Sequence, residues 1–566
     1  MNSANWIGIA LALTGAAGLA LAAESAGELP RAPYLRQLDA LRASDTVLPA
    51  LLPRIEVFAL YNREAPIPPQ CYTRTEGAHN PCYVCHQDAV AGRENVMNDG
   101  DLQAQYSFSE TGAINHWRNL FEDRSARVAR ISDAEILRWI DDDNYSELPA
   151  RLRTAGFQGW IPDLAHLELG AAAFDGEGFA RDGSGWVAIN YKPFPSTFWP
   201  TNGSTDDVMI RLPDEFRRDA RGRESRDVYL ANLSILEMNI KGLAEVSTWP
   251  IDERAVGIDL DGDGKLAQSR RARNRDRYAG GAAQVVVEPT VYPRGTEFLH
   301  TVRYLGIAPD GSIGYSRRMK EVRYMRRWLA ATRDQLRSGY ESEAIEKNKG
   351  ELPSYLNFGH EGLASRMGWQ LSGFIEDRAG RLRANTYEEQ MFCMGCHNSI
   401  GSTIDKTFSF ARKRDGVGGW GYVELRGMPD APNRGEQRGE IATYLERVGG
   451  GSEFRSNAEM QARWYLPDGR VNAAAVSAAA DVYALITPSR ARALQLNKAY
   501  RVLVEDQSFL FGRDATIQPP GNVYDSVDAS TAPTLPPGLR FKWDLRLAWP
   551  RVDVDERVAT REARAL

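Results

Sequence analysis

Cysteine is scarce in this chain, with five among 566 residues. That scarcity excludes a fold stapled by a dense disulfide framework. Long apolar runs are scarcer still. One stands alone near the start, NWIGIALALTGAAGLALAAES at residues 5–25, so no membrane span is expected in the mature protein. A strong excess of one charge is also missing. Lys and Arg total 69 against 75 Asp and Glu, a net charge of −6, which gives no reason to invoke nucleic acid. The N-terminal run is shorter than a comfortable span and ends in small residues. It reads as an export signal over residues 1–23, cleaved after Ala22 or Ala23, with an uncleaved anchor as the alternative. No Lys or Arg precedes it, a mild departure from such signals. No cysteine follows the cleavage region, so a lipid-anchored lipoprotein is not expected. A periplasmic or extracellular protein is.

Four of the five cysteines fall in two copies of one pattern, NPCYVCHQDA at 80–89 and FCMGCHNSIG at 392–401. Cys-x-x-Cys-His is the attachment signature of a c-type haem. Both thiols add to the porphyrin vinyl groups, and the following imidazole reaches the iron from the same side. Cys82, Cys85 and His86 are therefore expected to hold one covalent haem c, and Cys393, Cys396 and His397 a second. A four-thiolate zinc cage or two redox dithiols are the alternatives. Both leave the histidine after each pair unexplained. Covalent haem attachment in bacteria takes place outside the cytoplasm, which agrees with the export signal.

The two motifs and the signal resemble those of exported dihaem c-type cytochromes. More loosely, they are similar to the dihaem cytochrome c peroxidase, MauG and rubber-oxygenase group, although 307 residues separate Cys85 from Cys393. The resemblance implies two irons in one exported chain.

Function turns on the iron ligands opposite His86 and His397. His116 lies 30 residues beyond His86, and His360 lies 33 before Cys393. His300 sits in the strand-like run FLHTVRYL. These three are the candidate distal ligands, His116 for the first haem, His300 and His360 for the second. His79 is too close to Cys82 to reach the opposite face. Cys71 is an unpaired thiol: buried, near the first haem, or paired between molecules.

GIDLDGDGKL at 257–266 alternates Asp259, Asp261 and Asp263, followed by Gly264 and the carbonyl of Lys265. This is the first half of an EF-hand-type calcium loop. The twelfth position is Arg270 instead of Glu, so a Ca2+ site needs another carboxylate, such as Asp252 or Asp276. An acidic turn between strands is the alternative.

The expected fold class is mixed, mainly α, with much irregular structure around two haems and a β-rich middle region. An N-terminal haem region covers 24–150, and its clearest helix, ISDAEILRWIDDD, carries a capping box from Ser132 and Glu135. The β-rich region with the Asp-rich loop covers 151–313, with AQVVVEPTVY and TEFLHTVRYLGI as strands. A helical haem region covers 314–566 and opens on a basic helix at 315–337, with Met319, Val322 and Met325 at helical spacing. On that helix Arg323 or Arg326 is placed to meet haem propionates or an acidic partner, unless the charges form a solvated face. The expected function is electron transfer outside the cytoplasm with a redox partner protein. The alternative is a peroxidase- or oxygenase-like dihaem oxidoreductase with one open iron and a small oxidant.

Overall fold

Strand alternation governs the middle of the chain. A computed structural model describes residues 60–550, apart from 61, 90–94, 110–111, 196–198, 450–455, 529 and 533. The expected signal segment therefore lies outside the described residues. Strands β1 (Val187–Ala188), β2 (Thr205–Arg211), β3 (Glu245–Asp252), β4 (Gln268–Arg273), β5 (Glu297–Ile307), β6 (Ile313–Arg327), β7 (Leu356–Asn357), β8 (Leu363–Ala364), β9 (Trp369–Glu376) and β10 (Leu382–Ala384) follow one another. Eight of them form one antiparallel sheet in the order β1-β2-β5-β6-β9-β8-β7, with β10 paired to β9. β3 and β4 make a separate hairpin. The expectation of a mainly helical chain is thus corrected: the centre is this sheet.

The largest single correction is at 315–337. The segment is not a helix but β6, followed by helix α3. Spacing by three at Met319, Val322 and Met325 fits a helix, and abundant arginine suggests an exposed face. In the fold both faces of β6 are covered, and its charges are neutralised by residues far along the chain. Arg318 bonds Glu376 at 2.7 Å, Glu321 takes Arg513 at 2.8 Å, and Arg327 bonds Asp405 at 2.6 Å. Buried charge of this kind is tolerated only when paired. A second correction concerns AQVVVEPTVY. Its residues follow the 3-10 turn Gly280–Ala282 as a loop, with one isolated bridge between Arg277 and Val286. The TEFLHTVRYLGI strand is β5.

Helices α1 (Asp133–Asp141), α2 (Arg226–Lys241), α3 (Arg333–Asn348), α4 (Tyr387–Ser399) and α5 (Arg490–Asp506) pack around the sheet. Each starts at a Ser or Thr whose side chain accepts an early backbone N–H. At α1, Ser132 accepts from Glu135 as the sequence suggests, while the Glu135 carboxylate pairs with Arg501 at 2.8 Å. Helix α2 is buried on nearly all sides, so it lacks the amphipathic stripe that marks a surface helix. The main hydrophobic core runs from Ala65 to Trp549 and draws on all three expected regions. The division at 313/314 falls at the β5–β6 hairpin, whose strands pair along their length.

Candidate functional site

A strand presents alternate residues to one face. The register sets Val208 opposite His300, and His300 opposite Arg323. Counting by twos, Asp206, Val302 and Glu321 join them on that face. Phe298, Met325 and Leu371 extend it with apolar surface. Helix α4, carrying the second Cys-x-x-Cys-His, lies across this wall. Its start is fixed by a reciprocal capping box between Thr386 and Glu389. Two parallel bonds from Arg383 to Glu389, at 2.8 and 2.9 Å, tie it to β10.

The first motif sits in a 3-10 turn, Pro81–Val84, capped by Asn80. The two motifs meet. The Ser402 N–H donates to the Cys85 carbonyl at 3.1 Å. Gly395, between Cys393 and Cys396, lies so close to Pro66 that a Cβ would overlap the Pro66 carbonyl. Gly401 is pressed in the same way against Asp99, Gln87 and Met97.

Three adjoining cavities surround the motifs. One is lined by Cys85, Cys393, Cys396 and His397. A second holds Cys393, His397, His300, Asp206 and Arg323. A third holds Cys71, Cys82, Cys85, His86 and Cys396. Their walls are largely proline, aromatic and aliphatic side chains, the composition of a cofactor site.

Both motif histidines have one ring nitrogen committed. His86 Nδ1 is 2.9 Å from Asp99 Oδ2. His397 Nδ1 is 2.9 Å from the Lys406 carbonyl oxygen. Each bond leaves Nε2 to act as a metal ligand, the arrangement in which a second partner orients a ligating imidazole. Burial lowers the His397 pKa from 6.5 to about 4, helped by Arg323 and His300 and opposed by the Lys406 bond. The ring is therefore neutral and its lone pair available. The residues present fit a covalently held porphyrin: paired thiols, an oriented imidazole, apolar walls, and buried cations for carboxylates. Arg323 and Arg513 share Glu321 at 2.9 and 2.8 Å beside Cys393. Arg326 points away and is exposed.

Glu321 gives a test of this ionic group. Burial raises its pKa, but Arg323 and Arg513 outweigh burial and lower it from 4.5 to about 2. Its contribution is present above the unfolded value and lost as pH falls through about 2. That shift corresponds to about 3 kcal/mol. Glu321→Gln is expected to lower the melting temperature at neutral pH and to flatten its fall between about pH 4.5 and 2. A variant with an unaltered melting curve at both ends would disprove this.

Of the distal candidates, only His300 lines these cavities. Its Nε2 lies 3.5 Å from Asp206 Oδ2, and Tyr191 donates to the same oxygen at 2.5 Å. His360 stacks on Phe157 at 4.9 Å, and its Nδ1 accepts the Gln158 N–H at 3.0 Å. His116 lies in the turn before Trp117 and lines none of the three cavities. Cys71 lines the first-motif cavity, and burial, then Cys82 and Cys396, push its thiol up. Asp99, Asp206, Tyr191, Lys347, Glu321 and Arg513 were not legible as site residues.

In the Asp-rich loop, carboxylate oxygens of Asp259, Asp261 and Glu253 lie within 4.8 Å of one another. Asp263 instead accepts the Lys265 N–H at 2.8 Å. Asp252 pairs with Arg254 at 2.9 Å, and Val287 donates to the Asp276 carbonyl at 2.9 Å. The extra carboxylate is thus Glu253, which precedes the loop.

The fold and site define a class: an antiparallel-sheet protein with two Cys-x-x-Cys-His sites in adjoining apolar cavities. The chain belongs to a lipoprotein family, whose model, described as "-like lipoprotein", matches residues 55–484. It is 32% identical over 513 residues to an "Uncharacterized lipoprotein" of Aquifex aeolicus (strain VF5), covering 80% of this chain and 86% of that one. No solved structure matches. This overturns the resemblance to the dihaem cytochrome, peroxidase and MauG groups. Two pentapeptides do not specify a fold, and both lie within the span matched by the lipoprotein family.

Proposed function

We propose that the chain holds two covalent haems and transfers electrons outside the cytoplasm, receiving them from or passing them to a redox partner protein. The observation that carries this reading is the meeting of two distant Cys-x-x-Cys-His motifs, each with its histidine Nδ1 already bonded. When bound, the haems would supply the one-electron chemistry. The chain's part is to hold them close, keep water from them with apolar walls, and hold their carboxylates at Arg323 and Arg513. His300, backed by Asp206, is the second-site cap. Export rests on the N-terminal signal and on the lipoprotein description of the relative. Among the described residues, no helix is long and apolar enough to cross a membrane.

The test is the optical and EPR spectrum of the oxidised protein. His300→Ala is expected to add a high-spin component and to speed cyanide binding, while His116→Ala and His360→Ala leave the spectrum unaltered. A second reading, a redox enzyme acting on a small oxidant, is favoured by the polar cluster of Tyr191, Asp206, His300 and Arg323 in the second cavity. An unsubstituted protein with one high-spin haem that reacts quickly with peroxide would replace the first reading with this one.

We also propose that Glu253, Asp259 and Asp261 bind Ca2+. Clustered carboxylates repel, and a cation that binds only the folded chain stabilises it by about 2.7 kcal/mol at a hundredfold excess over Kd. The melting temperature is expected to rise with Ca2+ over chelator, and this rise to vanish in Asp259→Ala with Asp261→Ala. Equal melting temperatures in the unsubstituted protein would leave an acidic turn.

A further inference from the structure

We infer that the two sites hold their haems at unequal reduction potentials, the N-terminal one lower, because a buried carboxylate backs His86 and a neutral peptide carbonyl backs His397. The inference rests on the dihaem reading above.

At the first site, Asp99 is nearly buried, its side chain 2% exposed. Its Oδ1 accepts the Gln87 N–H at 3.0 Å, and its Oδ2 is shared by His86 and by Lys347 at 3.2 Å. Its two oxygens thus face three N–H donors, one of them the Lys347 ammonium, the setting that holds a carboxylate in its ionised form. A carboxylate acceptor draws on the imidazole proton and makes Nε2 a stronger donor. A stronger donor favours the oxidised, more positive iron, and hydrogen bonding around the ligand is one of the protein's levers on potential.

At the second site the acceptor carries no net charge. It is also fixed in place. Asp405 and Lys406 both have left-handed backbone, φ 45° and 62°, at the centre of a tight turn closed by reciprocal Ile404–Thr407 bonds of 3.1 and 3.0 Å. The buried Arg327–Asp405 pair pins that turn, so the carbonyl stays against His397. One electron shared by the two sites then rests at the second: as that iron goes from ferric to ferrous, the first goes from ferrous to ferric. Lys347 opposes the Asp99 effect and serves as an internal control.

The experiment uses the full haem-loaded protein. Covalent haem is first counted in denatured protein. Fewer than two per chain sinks the dihaem reading and this inference with it. With two present, optical spectra are recorded across a series of applied potentials. Two separate one-electron steps are expected. Asp99→Asn should shift the lower step upward and leave the upper one in place. Lys347→Gln should shift the lower step further down, and it decides the matter if Asp99→Asn does not fold. A single step, or substitutions that move only the upper step or neither, would overturn the inference while leaving the dihaem reading intact.

Discussion

Cys393→Ala combined with Cys396→Ala is expected to yield protein with one acid-acetone-resistant haem in place of two. Both thiols line the central cavity, and no other cysteine shares helix α4 with them. Without them nothing on that side can form a thioether bond. Cys71, Cys82 and Cys85 remain at the other motif. The mass of the denatured chain should fall by one haem relative to the unsubstituted protein. The loss should reach stability too, since α4, β9 and Phe408 all face the emptied space, and apolar walls without a filler lose their contacts. Mass spectrometry and a haemochrome spectrum decide it. Purified unsubstituted protein with tightly bound zinc and no haem absorbance would end the haem proposal, and the four motif thiols would then be metal ligands of another kind.

Arg327→Leu is expected to destabilise the fold by about 3–5 kcal/mol, the usual cost of stripping one partner from a buried ion pair. Both side chains of the Arg327–Asp405 pair are fully buried. Removing the guanidinium strands the Asp405 carboxylate, which also accepts the Tyr292 N–H at 3.0 Å. Adding Asp405→Asn should recover part of the loss, because asparagine keeps a hydrogen-bonding group, tolerates left-handed backbone and leaves no charge. Thermal unfolding of the three proteins measures this. If Arg327→Leu melted with the unsubstituted protein, the pair would be structurally idle. If Asp405→Asn deepened the loss, unpaired charge would not be its cause.

The places where residues and fold part company have a common physical origin. The cap at Ser132 acts within one turn, so local sequence reveals it. Strand β6 reads as a basic helix because its partners Glu376, Asp405 and Arg513 lie far from it in sequence. A window of twenty residues cannot show that an arginine will be neutralised by a carboxylate eighty positions away. Helix α2 was missed for a related reason. Burial on every side erases the periodic contrast on which helix reading depends. In the acidic loop, the alternating aspartates are visible, but the third carboxylate of the group, Glu253, precedes the loop on a short turn of helix and falls outside the EF-hand spacing.

The sequence by itself carried the two Cys-x-x-Cys-His motifs, whose thiols and imidazole lie within five consecutive residues, so local spacing shows them. It also carried the alternating aspartates of the acidic loop and the helix start at Ser132. Only the tertiary structure decided that the two motifs stand side by side, that His300 and Arg323 share one face of the sheet, and that Asp99 backs one histidine while the Lys406 carbonyl backs the other. Those relations depend on antiparallel pairing and on ion pairs between residues tens to hundreds of positions apart. Burial settles such pairings, and no local pattern encodes them.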